Sequence, residues 1–163
     1  MNFKISKAAD EWFGGKGAFE DKGLTNARLM DFYYFSALVG LLSFLKGSNK
    51  EFKNIEKIPD TREFMDEWTL DYKDNRYSII GLLIETEIQR IIIDREDKNS
   101  VKEFFKSMLS TDSGIHLTTK GADRLSSYSY MGYLIISDEM KKMPETYETF
   151  LAKYYKILSK FIS

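Results

Sequence analysis

LTNARLMDFYYFSALVGLLSFL, Leu24 to Leu45, is the stretch that decides the fold. Leu24, Leu29, Phe32, Phe35, Val39, Leu42 and Leu45 recur at three- and four-residue spacing, the repeat of one helical face. Tyr33, Tyr34, Leu38 and Leu41 fill most of the remainder, so the helix is apolar nearly all round and belongs at the centre of the fold. Thr25 or Asn26 can cap its start by accepting a hydrogen bond from an exposed amide, and Asp31 lies near the positive end of its dipole. Ser36, Ala37 and Gly40 are small and let a neighbour approach closely. Gly47 is the expected stop. From Phe32 to Leu45 the run is about 14 residues, short of the roughly 20 that span a bilayer, and Arg28 and Asp31 interrupt its upstream extension.

Outward from this helix the chain reads as further helices. Phe3 and Ile5 alternate with Asn2, Lys4 and Ser6, the period of a short strand. Ala8 to Phe13 reads as a short helix broken by Gly14, Gly15 and Gly17. Ser48 to Pro59 is polar and loop-like, and Asp60 or Thr61 is expected to open a short helix through Trp68. Asn75 to Asp94 carries Ile80, Leu83, Ile84, Ile88 and Ile91 at helical spacing, although the β-branched run Ile91–Ile93 also suits a strand. Asn99 or Ser100 is expected to cap a helix to Ser110. Thr118 or Thr119 is expected to cap one running toward Met140. Pro144 suits the first turn of a last helix bearing Tyr147, Phe150, Leu151, Tyr154, Leu158, Phe161 and Ile162. The fold class predicted is mainly α: a single domain over residues 1–163, of about six or seven helices with a short N-terminal strand. Residues 1–46 form an opening strand-helix-helix unit and residues 60–163 the helical remainder.

Composition narrows the function. The 163 residues hold 43% apolar and 30% charged side chains, the balance of a folded chain. A net charge of −1 argues against strong DNA binding through the overall field. No cysteine is present and His116 is the one histidine, so a thiol nucleophile, a cysteine-ligated zinc and a histidine-rich metal site have no residues to build them. The opening MNFKISKAADEW lacks a secretory pattern, and the chain is expected to be cytoplasmic.

Four constellations bear on activity. A strand followed by two helices has the order of a ribbon-helix-helix DNA reader, in which Asn2, Lys4 and Ser6 would face the major groove and the amides near Thr25, Asn26 and Arg28 would hold a phosphate. The plainer reading is that the strand clamps the N-terminal segment onto the core. Asp60, Glu96 and Lys98 form a Pro-Asp…Glu-x-Lys pattern of the kind that holds a nuclease metal, provided that Glu96 and Lys98 project from one strand face. The plainer reading is a solvated helix end. Glu87 shares the apolar stripe of its helix and needs a partner, for which Arg90 is suitably spaced. Finally, Tyr33, Tyr34, Tyr130 and Tyr133 belong to dense aromatic runs, and aromatics left exposed are common in protein interfaces.

FKISKAADEWF (Phe3–Phe13), GLTNARLMDFYYFSALVGLL (Gly23–Leu42), RYSIIGLLIETEIQR (Arg76–Arg90) and LSTDSGIHLTTKGADRL (Leu109–Leu125) resemble, in that order, the small helical accessory proteins of bacterial DNA phosphorothioation (Dnd) and related anti-phage defence clusters. The resemblance covers most of the chain. It implies a non-catalytic subunit working beside a larger ATPase or nuclease, with DNA as a further ligand and self-association left open. It carries over no catalytic residue, metal or cofactor. The alternatives are a ribbon-helix-helix regulator and a metal-dependent nuclease.

Overall fold

The computed structural model describes residues 2–14, 26–47 and 58–162. The elements are β1 (Phe3–Ser6), α1 (Lys7–Gly14), α2 (Asn26–Leu45), β2 (Thr61–Met65), α3 (Leu70–Lys73), α4 (Arg76–Ile91), α5 (Lys98–Met108), α6 (Thr119–Met140) and α7 (Tyr147–Ile162). The chain is mainly α with a short strand near its start, as its periodicity predicts.

The centre is the crossing of α2 and α6. A Cβ on Gly132 would stand 1.6 Å from the Ser36 carbonyl oxygen, and one on Gly40 would stand 2.0 Å from that of Tyr128. Each pair, Ser36/Gly40 and Tyr128/Gly132, is spaced by four residues, so one turn of each helix lies against one turn of the other with backbone in contact. Two polar contacts bridge the crossing at this depth. The Tyr33 hydroxyl and Ser126 Oγ lie 2.9 Å apart, and Ser129 Oγ donates to the Tyr33 carbonyl at 2.9 Å. Helix α7 is tied to the same spine where the Tyr154 hydroxyl donates to the Phe35 carbonyl at 3.0 Å.

Aromatic rings fill the space around the spine. Phe13 stacks on Phe32 at 4.7 Å, and Phe32 meets Phe150 edge-on at 5.0 Å. Phe3 meets Trp68 at 4.7 Å, and the Trp68 indole donates to the Ile115 carbonyl at 2.9 Å. Each large side chain buried this fully contributes about 1.5–3 kcal/mol of transfer free energy. By length and composition alone α2 is long and apolar enough to cross a membrane. However, 56% of its window Arg28–Leu45 is buried inside this fold, which is compatible with a soluble protein.

Local signals account for the element ends. Gly47, at φ 73°, closes α2. The Thr118 side chain accepts from the Gly121 amide at 3.1 Å and starts α6. At α5 the cap falls earlier than expected. Asp97, not Asn99 or Ser100, accepts from the amides of both those residues at 3.1 and 3.2 Å. Helix α7 starts at Tyr147, where Thr146 Oγ1 accepts from the Thr149 amide, so Pro144 lies before the helix.

The expected helix at Asp60–Trp68 is corrected. Thr61–Met65 is the strand β2, antiparallel to β1, with Lys4 opposite Glu63 and Ser6 opposite Thr61. The backbone groups of β1 need partners, and only a second strand supplies them along one edge. That long-range demand overrides the local preference of TREFM.

Candidate functional site

The N-terminal residues expected to read DNA are already occupied. Asn2 Nδ2 donates to Glu63 at 2.7 Å, Lys4 pairs with Asp123 at 2.9 Å, and Ser6 is buried, its hydroxyl accepting from the Ala9 amide to start α1. A ribbon-helix-helix unit needs its strand to pair with the strand of a second chain. Here one edge of β1 pairs with β2, and on the other the Lys4 amide donates to Ser126 of α6 at 3.0 Å. Thr25 lies outside the described residues, as does the side chain of Asn26. Arg28 is held within the chain, 3.5 Å from Asp31 and 4.4 Å over the Tyr147 ring.

Asp60, Glu96 and Lys98 sit on three different features. Asp60 precedes β2, where its carbonyl accepts from the Lys7 amide; Glu96 is in the turn after α4; Lys98 opens α5. The Glu-x-Lys pair therefore does not project from a strand. Among the described residues, no three carboxylates or imidazoles group to hold a metal ion. His116, at φ 61°, packs its ring 5.8 Å from Tyr77.

Glu87 is a buried ionic hub. Its side chain is 2% exposed and accepts from Arg90 at 2.7 and 2.9 Å and from Arg124 Nε at 2.9 Å. Burial alone raises its carboxyl, but the Arg90 hydrogen bonds and the charges of Arg124 and Arg90 outweigh this and hold it below the usual carboxylate range. Arg90 was legible from its three-residue spacing. Arg124 was not, because it comes from α6.

The tyrosines expected at a partner surface divide. Tyr33, 1% exposed, faces the core because the α2–α6 crossing encloses it, so it is not a surface residue in this fold. Burial pushes its phenol pKa well above the ordinary value. Tyr34 is half-buried and stacks on Tyr72 at 4.6 Å, whose hydroxyl donates to Asp31 at 2.5 Å. Tyr130 and Tyr133 are also half-buried, 6.0 Å apart, with Trp12 6.2 Å from Tyr133.

Among the described residues, α7 carries three exposed large apolar side chains. At about 100° per residue, its apolar positions span an arc on the order of 160°, from Ile157 through Phe150, Tyr154 and Leu158 to Tyr155. The core covers the first part. Leu151, Ile162 and Tyr155 continue the arc and are 37%, 61% and 69% exposed. They extend about 16 Å along the helix. The signal was present in the sequence as an apolar arc wider than one core-facing stripe. No family model, curated protein or solved structure matches the chain.

Proposed function

We propose that this protein is a non-catalytic accessory subunit of a prokaryotic anti-phage defence or DNA-modification system, acting in the cytoplasm by docking on a larger partner such as an ATPase or nuclease. The observation that carries the docking reading is the Leu151–Tyr155–Ile162 face of α7. A tyrosine flanked by aliphatic side chains is the kind of anchor that dominates protein interfaces. The three side chains of this face remain exposed in the fold. The defence setting is supported by the resemblance of the four segments quoted above.

The test is co-expression of the tagged chain with the products of its neighbouring genes. An ATPase or nuclease should co-purify in fixed stoichiometry. Tyr155→Asp should abolish that retention while leaving the far-ultraviolet circular dichroism unchanged. Full retention by a Leu151→Asp/Tyr155→Asp double variant would remove the α7 reading.

A further inference from the structure

Helix α5 carries a feature that docking through α7 does not use. Lys98, Lys102 and Lys106 repeat every four residues along it, within an arc of roughly 80°. Val101 and Phe105 border this stripe on the side leading into the core. With Arg95 they line an open groove of about 500 Å³. Phe105 is 40% exposed there.

Like charges four residues apart on a helix destabilise it by about 0.2–0.5 kcal/mol per pair, and α5 contains two such pairs in succession. Among the described residues little offsets this. Lys106 has only Glu103, at 3.9 Å, and Lys98 and Lys102 make no ion pair among the described residues. Arg95 is engaged at 2.6 Å by Glu85. A row of ammonium groups in which only Lys106 has a carboxylate within 4 Å among the described residues, beside an exposed ring, is suited to an anionic ligand that also presents flat apolar faces.

We infer that the α5 groove binds a single-stranded nucleic acid, with Lys98, Lys102 and Lys106 on successive phosphates and Phe105 against a base. The stripe is about 12 Å long. Successive lysines stand about 6 Å apart along the axis, so an extended single strand brings one phosphate to each. A single strand is favoured over a duplex because only an unpaired base offers its face to Phe105. Phosphate is favoured over the carboxylates of an acidic protein segment because planar bidentate carboxylate recognition is the work of arginine. The one arginine at the groove is already taken, and the three lysines act as point charges.

Fluorescence anisotropy of the whole chain with a labelled oligodeoxythymidylate of about 15 nucleotides tests this. With three phosphate contacts, the slope of log affinity on log salt should be about −2, so binding weakens roughly 20-fold between about 50 and 200 mM salt. Lys102→Ala should reduce the slope by about 0.7. Phe105→Ala should weaken binding at least about fivefold and leave the slope unchanged. Tyr155→Asp should bind as the parent does, which separates failure here from failure of the α7 reading. The inference is overturned if no binding is seen at low salt, if Lys102→Ala leaves the slope unchanged, or if a duplex of equal length binds as tightly and is equally sensitive to Phe105→Ala. A polyglutamate peptide binding more tightly than the oligonucleotide also overturns it, in favour of an acidic protein segment.

Discussion

The α2–α6 crossing and the outer helix α7 are built from similar apolar residues and use them in opposite ways. At the crossing, small residues remove the side-chain layer, so backbone meets backbone and Phe32, Tyr33 and Tyr128 beside it are fully buried. On α7 the apolar arc is wider than the core that receives it, and Leu151, Tyr155 and Ile162 are left uncovered. Mutation should therefore be felt as stability at the first place and as binding at the second.

The largest effect is expected at the crossing. Gly132→Ala places a methyl group 1.6 Å from the Ser36 carbonyl, where only backbone movement relieves the clash. It should lower unfolding free energy by more than ~3 kcal/mol, above the usual overpacking range, as read by urea denaturation. A loss near that of an exposed alanine substitution would break the comparison.

Next is the ionic hub beside it. Glu87→Ala leaves Arg90 and Arg124 without their shared carboxylate and should cost about 3 kcal/mol. The pH dependence has a fixed sign. The carboxyl is held below the ordinary glutamate value in the folded chain, so its contribution is complete above that ordinary value. It is lost as the pH falls through the lowered pKa. Glu87→Gln should flatten this part of the acid unfolding curve, and an unchanged curve would assign the acid sensitivity elsewhere.

A smaller effect, of opposite direction, is expected at the end of α4. Ile92 is 80% exposed and holds a left-handed φ of 57°, a conformation that strains a β-branched residue. Ile92→Gly should stabilise the chain by about 1 kcal/mol. The smallest change in stability belongs to α7: Tyr155→Asp should shift it by no more than about 0.5 kcal/mol. A large loss there would show that the exposed face supports the fold, and the contrast with the crossing would disappear.

The features readable in the sequence were those set by one element's own periodicity or ends. The central helix with its small-residue notch at Ser36, Ala37 and Gly40, the Thr118 cap, the Gly47 stop and the Glu87–Arg90 pair all follow from spacing within a helix. Strand β2 was missed because TREFM shows one buried residue, Phe64, and three exposed ones; its strand character is supplied by β1. Arg124 was missed as a ligand of Glu87 for the same reason, since 37 residues separate them and no repeat connects them. Tyr33 was placed outward because a helix apolar on every side gives no bearing by which to choose its exposed face. The α5 lysines were visible as spacing, but that Lys98 and Lys102 make no ion pair among the described residues needed the fold.

The pairing of β1 has a consequence for the nascent chain. Its hydrogen-bonding partners are Thr61–Met65 on one edge and Ser126 on the other, so both are synthesised long after the strand itself. While translation proceeds, β1 is an open edge carrying Phe3 and Ile5, the kind of segment that invites off-pathway association. Native closure of this corner waits until the first half of α6 has left the ribosome. Nascent chains arrested with Ser126 still inside the exit tunnel and with Ser126 outside it should therefore differ sharply in protease resistance at the N-terminal segment.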